Sequence, residues 1–515
     1  MLKITQIPVK IGDTLTKVHI AKKLHAKVED IQDYEIDRES FDARGEDPHF
    51  TYTVYAHVKN EVKYAKRKDV TIEEKEVYTL PKHIQCEERP IVVGFGPAGM
   101  YAALILAECG ARPIVLERGC AVEERTKQIE TFFAEGKLDP ESNVQFGEGG
   151  AGTFSDGKLT TRVKNVRIRK VLEEFVEAGA SPSIIYEHRA HLGTDKLRSI
   201  VRHIREKVIA LGGEVHFSTR VDRLLLEGDT VIGVHTNQGD MYSHYVILAT
   251  GHSAVDTYQT LLSQGVCIEQ KDFAAGVRVE HPQSLIDHST YGKYAGHPAL
   301  GAASYQLTAK TSLHRGVYSF CMCPGGMVIP ASCEEGTLVV NGMSYSARDK
   351  ANANSAILVQ IPKSDFDHGH PLDGFVYQKE LEKRAYRSNF QAPAQNIKDY
   401  LSGTVTDLVI PTSYPRGVVL EDMHALFSDE VNTALMEGMK AFDRKIHGFI
   451  EKGIMVGMES RSSSPIRLPR DQEGVSITIH GLYPCGEGAG YAGGIVSSAV
   501  DGIKQAEHVI FAMSK

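Results

Sequence analysis

The sequence predicts an α/β protein in three parts: a small α+β domain, a Rossmann-like α/β domain made from two separated stretches, and a strand-rich domain inserted between them. Three observations predict this architecture. The apolar run Ile91–Val93 enters a Gly-x-Gly-x-x-Gly turn that opens an apolar helix. Strand and helix patterns then alternate over residues 165–260. A strand–glycine–helix pattern returns between Gly481 and Ser514, after a long region of strands and turns. We expect domain boundaries at 1–85, 86–270, 271–440 and 441–515.

The N-terminal residues 1–85 read as strand, helix, strand, strand, which is compatible with a small ferredoxin-like α+β domain. The segment Lys63–Asp69 is a short cationic cluster. It fits a solvated surface, with an RNA or partner contact as the alternative. The charge of the domain is mixed, whereas an RNA-binding domain is expected to present a basic face.

The turn after Ile91–Val93 has the spacing of a dinucleotide-binding fingerprint. Gly94 allows a tight turn, Gly96 lets the backbone approach a pyrophosphate, and Gly99 lets the next helix pack closely. Pro97 suits the first turn of that helix, whose free N–H groups face a phosphate. A second apolar strand ends at Glu117, 117 − 99 = 18 residues beyond the third glycine, near the spacing expected of a ribose-binding acid. Together these features predict dinucleotide binding.

A glycine-rich segment from Asn143 to Leu159 follows, with five glycines between Gly147 and Gly157. Such a backbone offers many N–H donors to a phosphate, a ribityl chain or a ring, and a flexible linker is the alternative. Arg118 and Arg125 lie before this segment, where they could reach phosphate or adenine or cap the next helix.

Further strands lead to Ala249-Thr250-Gly251, which places a turn close to a bound dinucleotide. Near the C-terminus a strand reaches Cys485, and a glycine-rich turn precedes a helix that opens near Gly493. The start of that helix should face an anionic or electron-accepting group. We find one dinucleotide fingerprint in the sequence and no second one that follows a strand and opens a helix.

The composition limits which partners and which cellular location can be expected. The chain has 515 residues, 42 % of them hydrophobic, and a formal charge of −8, which gives no reason to expect nucleic acid or an anionic membrane as a partner. No apolar run is long enough to span a bilayer, and no signal peptide is visible. Eight cysteines without a CxxC pair predict no disulfide framework and a cytoplasmic location.

Several side chains are candidates for chemistry. Cys321 and Cys323 form C-x-C in a strand of the inserted domain, so we expect both thiols on one face and away from every dinucleotide motif. They are packed thiols, a redox or substrate-contacting pair, or, least of all, a metal site; we predict no metal. Arg461 belongs to a group with Glu459, Arg467 and Arg470 that could clamp an anionic substrate or form a solvated loop. His252 follows the Ala-Thr-Gly turn and is a proton donor or an ordinary surface histidine.

The motifs GFGPAG, GEGGAGTFSDGKL and GLYPCGEGAGYAGGIVSSAVDG together resemble a family of uncharacterised FAD-dependent dehydrogenases, also called NAD(FAD)-utilising dehydrogenases, within the glutathione-reductase superfamily. This resemblance implies a glutathione-reductase-type FAD-binding domain. It also implies FAD contacts for residues of these motifs, for Glu117, for the Ala-Thr-Gly turn and for the adenine-binding position Val221: Gly94, Gly96, Pro97, Ala98, Gly99, Glu117, Gly149, Gly150, Ala151, Gly152, Thr153, Lys158, Val221, Thr250, Gly251, Gly486, Glu487, Gly493, Gly494 and Ile495. Arg118 and Arg125 are further candidate cofactor contacts because of their position after Glu117.

We therefore predict an FAD-dependent oxidoreductase that moves a hydride or electrons through a noncovalent flavin to or from a small-molecule substrate. The electron donor is NAD(P)H binding transiently, or an electron-transfer protein. The alternative is a flavin-binding protein that modifies or accompanies RNA, with the N-terminal domain as the contact.

Overall fold

A computed structural model describes residues 1–43, 47–161 and 163–515. The N-terminal domain is a four-stranded antiparallel sheet in the order β2-β3-β1-β4, which is the strand order of a ferredoxin-like fold. Its apolar face packs on one long helix and one short one. Its elements are β1 (Leu2–Lys10), α1 (Lys17–Leu24), β2 (Ile31–Asp42), β3 (His49–Val58), α2 (Glu61–Tyr64) and β4 (Val70–Ile72). In the cationic segment, Lys66 and Lys68 are exposed.

The next part of the chain builds most of the α/β domain. Short apolar strands alternate with helices, and a three-stranded antiparallel sheet, β10-β9-β8, is attached at one side. The elements are β5 (Ile91–Val93), α3 (Pro97–Glu108), β6 (Ile114–Leu116), α4 (Val122–Glu135), α5 (Arg167–Glu177), α6 (Gly193–Ala210), β7 (Glu214–His216), β8 (Val221–Glu227), β9 (Thr230–Thr236), β10 (Gly239–Tyr242), β11 (Val246–Leu248) and α7 (Val255–Ser263).

The inserted domain centres on a seven-stranded sheet in the order β14-β15-β18-β13-β21-β19-β20, with a β16–β17 hairpin beside it. Its elements are β12 (Glu269–Gln270), β13 (Phe273–Pro282), α8 (Gln283–Tyr291), β14 (Thr308–Lys310), β15 (Gly316–Cys323), β16 (Met327–Pro330), β17 (Val340–Met343), β18 (Asn352–Ile361), α9 (Asp373–Ala385), β19 (Ala392–Asn396), α10 (Ile397–Ser402), β20 (Val418–Leu420), α11 (Asp429–Asp443) and β21 (Ile454–Glu459). Because β21 pairs with β13 and β19, this sheet extends past the boundary expected at residue 440.

The chain then returns to the α/β domain through β22 (Ile466–Arg467), β23 (Leu482–Pro484) and α12 (Ile495–Met513). Strand β23 completes a parallel five-stranded sheet in the order β23-β11-β5-β6-β7. Helix α12 lies against α3, and a Cβ added at Gly502 would come within 2.1 Å of the Ala98 carbonyl oxygen. The carboxyl ends of these parallel strands meet at one edge, where ligands of such sheets bind.

The N-terminal domain contacts both other domains. Glu35 pairs with Arg169 of α5 at 2.7 Å, and the ring of Phe41 packs edge-on against Tyr291 of α8. None of the helices formed by the described residues combines the length and the apolar content that a membrane span requires.

Candidate functional site

The three fingerprint glycines are needed for different reasons. Gly94 has a φ of +95°, and a Cβ there would lie 2.5 Å from the carbonyl oxygen of Ala249. At Gly99 a Cβ would lie 1.9 Å from the carbonyl oxygen of Gly94. Both are therefore required by the protein's own packing. At Gly96, by contrast, a Cβ would meet nothing closer than Gly150 Cα at 3.6 Å, so the space in front of Gly96 is left free.

That space is part of a long cavity at the carboxyl edge of the parallel sheet. Gly96 and Gly150 face each other across one stretch of it, and α3 begins there without a side-chain cap on its free N–H groups. The Gly149 N–H donates to the Phe95 carbonyl at 2.8 Å and holds the glycine-rich segment against the fingerprint turn. A narrow, uncapped cradle of this kind suits a phosphate chain.

Glu117 fastens three segments at the same cavity. Its carboxylate accepts N–H groups from Phe95 at 2.8 Å, Gly119 at 2.9 Å and Gly147 at 3.0 Å. A carboxylate has about four lone-pair positions, so Glu117 keeps at least one for a hydroxyl in the cavity.

Arg125 is completely buried and is not in the cavity lining. Its side chain donates to five backbone carbonyls of the segment from Asn143 to Gly150, those of Asn143, Val144, Gly147, Glu148 and Gly150. Arg125 was expected at the cofactor; in the structure its donors are engaged by the loop that lines the cavity. Burial lowers the pKa of Arg125 to about 10.

Arg118 does line the cavity, where its guanidinium lies 4.2 Å from the ring centre of Phe146. Two contacts to Asp256 and one to Glu141 hold it there. Val221 lines the same end. This end therefore combines an acid, a stacked planar cation and apolar contact.

At the other end, Gly494 is the N-cap of α12, and this helix start again has no side-chain cap. Gly486 is not in the lining, and its N–H donates to Asp501 at 2.8 Å. Arg470 holds Asp501 with two hydrogen bonds of 2.6 and 3.0 Å, so it braces this turn and is not free to clamp a substrate.

His252 lies in the cavity wall with one ring nitrogen uncommitted. Its Nδ1 is 3.4 Å from Glu487, and its buried Nε2 has no hydrogen-bond partner among the described residues. A buried polar atom without a partner is uncommon and suggests a ligand group.

The inserted domain supplies the remaining wall, through Phe320, Cys321, Asn341, Glu459, Arg461 and Ser462. The prediction that the C-x-C pair lies away from every dinucleotide motif is therefore wrong, since Cys321 and Gly96 line one cavity.

The pair also departs from simple strand alternation. Phe320 pairs with Ala356 but Cys323 pairs with Asn354, so β15 carries one extra residue at this point. Cys321 sits in the resulting bulge with a φ of +42°. Cys321 consequently reaches the cavity, whereas Cys323 is fully buried behind it.

Basic side chains surround this bulge. Arg278, completely buried in β13, donates to the Cys321 carbonyl and lies 3.5 Å from the Cys323 sulfur. It is paired with Glu459 at 2.9 Å. Lys158 donates to the Met322 carbonyl and pairs with Asp156 at 3.0 Å. Lys158 was expected at the cofactor; the structure assigns it to the C-x-C bulge, outside the cavity lining.

Arg461 borders the cavity but is already engaged. It makes two hydrogen bonds of 2.8 Å to Glu382 and one of 3.0 Å to the Cys333 sulfur. Two of its five N–H groups remain for a ligand, and Glu382 cancels its charge. An anion clamp built on Arg461 alone is not supported by this arrangement.

Most predicted residues meet at this one cavity. The lining contains Gly94, Gly96, Pro97, Ala98, Glu117, Arg118, Gly150, Ala151, Gly152, Val221, Thr250, Gly251, His252, Cys321, Arg461, Glu487, Gly493, Gly494 and Ile495. Outside it are Gly99, Arg125, Gly149, Thr153, Lys158, Cys323 and Gly486. Sequence reasoning missed Gln145, Phe146, Ser155, Ser253, Phe320, Asn341, Ser462 and Arg278. Arg278 had a signal, since it is a charge in the middle of the apolar strand FAAGVRVEHP.

The fold and the cavity define the class of protein: a dinucleotide-binding α/β protein whose inserted domain lines part of the cofactor cleft. The model of the family "FAD-dependent protein, C-terminal domain-like" matches residues 272–462, and a "domain of unknown function (DUF8436)" matches residues 1–57. An uncharacterized protein of Clostridium beijerinckii is 45% identical over 525 residues, which cover 99% of this chain and 98% of that protein. The chain belongs to the family of that protein, and its cofactor is FAD.

Two more distant similarities complete the comparison. A thiamine thiazole synthase of Aeropyrum pernix is 28% identical over 240 residues, 44% of this chain and 75% of that enzyme. A crystal structure of glycine oxidase from Bacillus cereus aligns with 11% identity and a TM-score of 0.31, covering 83% of this chain and 96% of that one. The predicted FAD dependence is confirmed by the family model, and the RNA-associated alternative gains no support.

Proposed function

We propose that this cavity holds FAD along its length and that the inserted domain presents a small-molecule substrate to the flavin. The observation that carries the proposal is the continuity of one cavity from the fingerprint turn and Glu117, past the start of α12, to Cys321 and Arg461 of the inserted domain. The pyrophosphate lies between Gly96 and Gly150, and the adenosine lies at Glu117 and Val221.

The residues at the other end fit the flavin ring. The free N–H groups at Gly494 and Ile495 stabilise negative charge, as reduced flavin requires. The uncommitted Nε2 of His252 is available to hold or pass a proton beside the ring or the substrate. Phe320 and Ser462 line the cavity from the inserted domain.

FAD supplies two-electron chemistry when bound, and the protein supplies orientation and electrostatics. Arg461, with two N–H groups left, orients a polar substrate group rather than attracting a free anion. The described residues form six sheets, and the entirely parallel five-stranded one, which is the type that binds dinucleotides, already carries the fingerprint for FAD. A second sheet of this type for NAD(P)H is not seen among the described residues. We therefore infer that NAD(P)H visits the substrate side of the cavity or that an electron-transfer protein reduces the flavin. Free thiols at all eight cysteines suit our inference of a cytoplasmic location.

Substitution of Gly96 tests the placement of the cofactor. Because the protein itself leaves room at Gly96, Gly96→Val should fold yet fill the space that the pyrophosphate needs. The purified variant should be colourless and monodisperse, with wild-type far-UV circular dichroism. Gly316→Val is the matched control, since a Cβ there meets only Gln360 at 3.7 Å and lies outside the cavity. It should stay yellow and release FAD on heating. A Gly96→Val protein with full FAD content would refute the placement.

A further inference from the structure

We propose that Cys321 and Cys323 form a redox-active dithiol that exchanges two electrons with the flavin, with Cys321 as the thiol facing the cavity and Cys323 as its buried partner. This inference rests on the proposed position of FAD. It adds a second two-electron centre, located in the inserted domain and not in the dinucleotide-binding part of the chain.

The first support is access. Cys321 lines the cavity, whereas Cys323 is fully buried and is not part of the lining. The bulge in β15 and the left-handed backbone of Cys321 bring about this difference. Non-glycine residues in that conformation are strained and cluster at functional sites. A simple packing role for two thiols does not require such a backbone.

The second support is charge. The side chains linked by contacts around the pair include three cations, Lys158, Arg278 and Arg348, and two carboxylates, Asp156 and Glu459. Three positive and two negative charges leave an excess of +1 next to Cys321. One thiolate in the pair brings the net charge of this cluster to zero.

The third support is the hydrogen bonding at the sulfurs. The Cys323 thiol donates to the Cys321 carbonyl at 3.3 Å. This neighbouring thiol, with the charges of Lys158 and Arg278, lowers the pKa of Cys321. Burial raises the pKa of Cys323, which stays protonated. Tyr305 and His191 also face this cluster; burial raises the pKa of Tyr305 and lowers that of His191, so both are neutral near pH 7. The pair thus holds one thiolate and one thiol, with a single proton to lose.

The redox step balances. The Cys321 thiolate and the Cys323 thiol lose two electrons and one proton as the bond between their sulfurs forms. The electrons and that proton pass to oxidised FAD, giving the reduced anion. In the reverse direction, reduced FAD opens the disulfide. Because Cys323 is sealed in, a thiol or disulfide from outside can exchange with the pair only at Cys321.

The test counts thiols and electrons in the FAD-loaded full-length protein. After mild oxidation with diamide and removal of the reagent, denatured wild type should show two fewer thiols than the eight of the reduced chain. Peptide mass spectrometry should find the link between Cys321 and Cys323. An anaerobic dithionite titration of the oxidised protein should then consume four electrons per FAD in wild type and two in Cys321→Ser or Cys323→Ser.

Cys333→Ser is the matched control, because Cys333 is also buried and hydrogen-bonded to an arginine. It should consume four electrons. Lys158→Gln should shift the pH at which iodoacetamide alkylates Cys321 upward by at least one unit, a change that a structural role of the lysine would not produce. Eight thiols after oxidation, together with two electrons per FAD in wild type, would overturn the dithiol. FAD content is measured on the same samples, so failure of cofactor binding is read separately.

Discussion

Arg125 offers the sharpest quantitative test of how the FAD cavity is built. The residue is buried and does not line the cavity. It donates hydrogen bonds to five carbonyls of the segment from Asn143 to Gly150. Arg125→Met keeps the aliphatic stem and removes every one of these donors. The perturbation therefore acts on the shape of the loop rather than on a contact to FAD.

The magnitude follows from two opposing contributions. Five hydrogen bonds from a charged donor are worth about 1.5 kcal/mol each, or about 7 kcal/mol. Removing the buried charge offsets part of this loss, because burial lowers the pKa of Arg125 to about 10, a shift that corresponds to about 3 kcal/mol. The ordered loop is therefore less stable by a net of about 4 kcal/mol in the variant. Because FAD must order the loop when it binds, we expect the affinity of the protein for FAD to fall at least about 100-fold.

Flavin fluorescence during dilution and FAD titration measures this affinity directly. Arg202→Met is the control, because Arg202 is an exposed arginine of α6, with 56% of its side chain accessible, that pairs with Glu206. Its FAD affinity should stay within a factor of about two of wild type, as surface substitutions cost little. An Arg125→Met protein that binds FAD as tightly as wild type would show that the loop does not depend on these bonds.

Two further predictions concern pH and the electron donor. Burial raises the pKa of Glu148 to about 7. The folded protein therefore binds one more proton than the unfolded chain between pH 4.5 and 7, and it loses stability as the pH rises through that window. Glu148→Gln should flatten the dependence of the melting temperature on pH in this window, and an unchanged slope would contradict the assignment. Stopped-flow reduction by NADH or NADPH should be slow and weakly saturating, and fast reduction that saturates at micromolar nucleotide would reveal a dedicated nicotinamide site.

The parallel sheet and its ligand edge were predictable because their signals are local. The run Ile91–Val93, the glycine spacing and Glu117 each report on a few neighbouring residues, and the structure brings them together as expected. The return of the chain at β23 was predictable for the same reason, since the strand–turn–helix pattern is complete in itself.

Where the structure departs from expectation, the contacts that decide the outcome are with residues distant in sequence. Arg125 carries the same side chain as Arg118, and only the fold decides that one is enclosed by a loop while the other borders the cavity. The position of Cys321 depends on a bulge, which the alternation of side chains along a strand does not predict, and on a fold that places Cys321 and Ile495 in the lining of one cavity. Lys158 belongs to a glycine-rich motif, yet its ammonium group pairs with Asp156 and donates to the Met322 carbonyl of β15 in the inserted domain.

The parallel pairing of Leu482–Pro484 with Val246–Leu248 has a consequence for the order of assembly during synthesis. The N-terminal domain and the inserted domain each complete their sheets from residues made before this strand emerges. The cofactor cleft does not, because the end of β23 and the start of α12 form one side of it. A ribosome-bound chain can therefore fold these two domains early, but it cannot capture FAD until the residues around Ile495 have been synthesised.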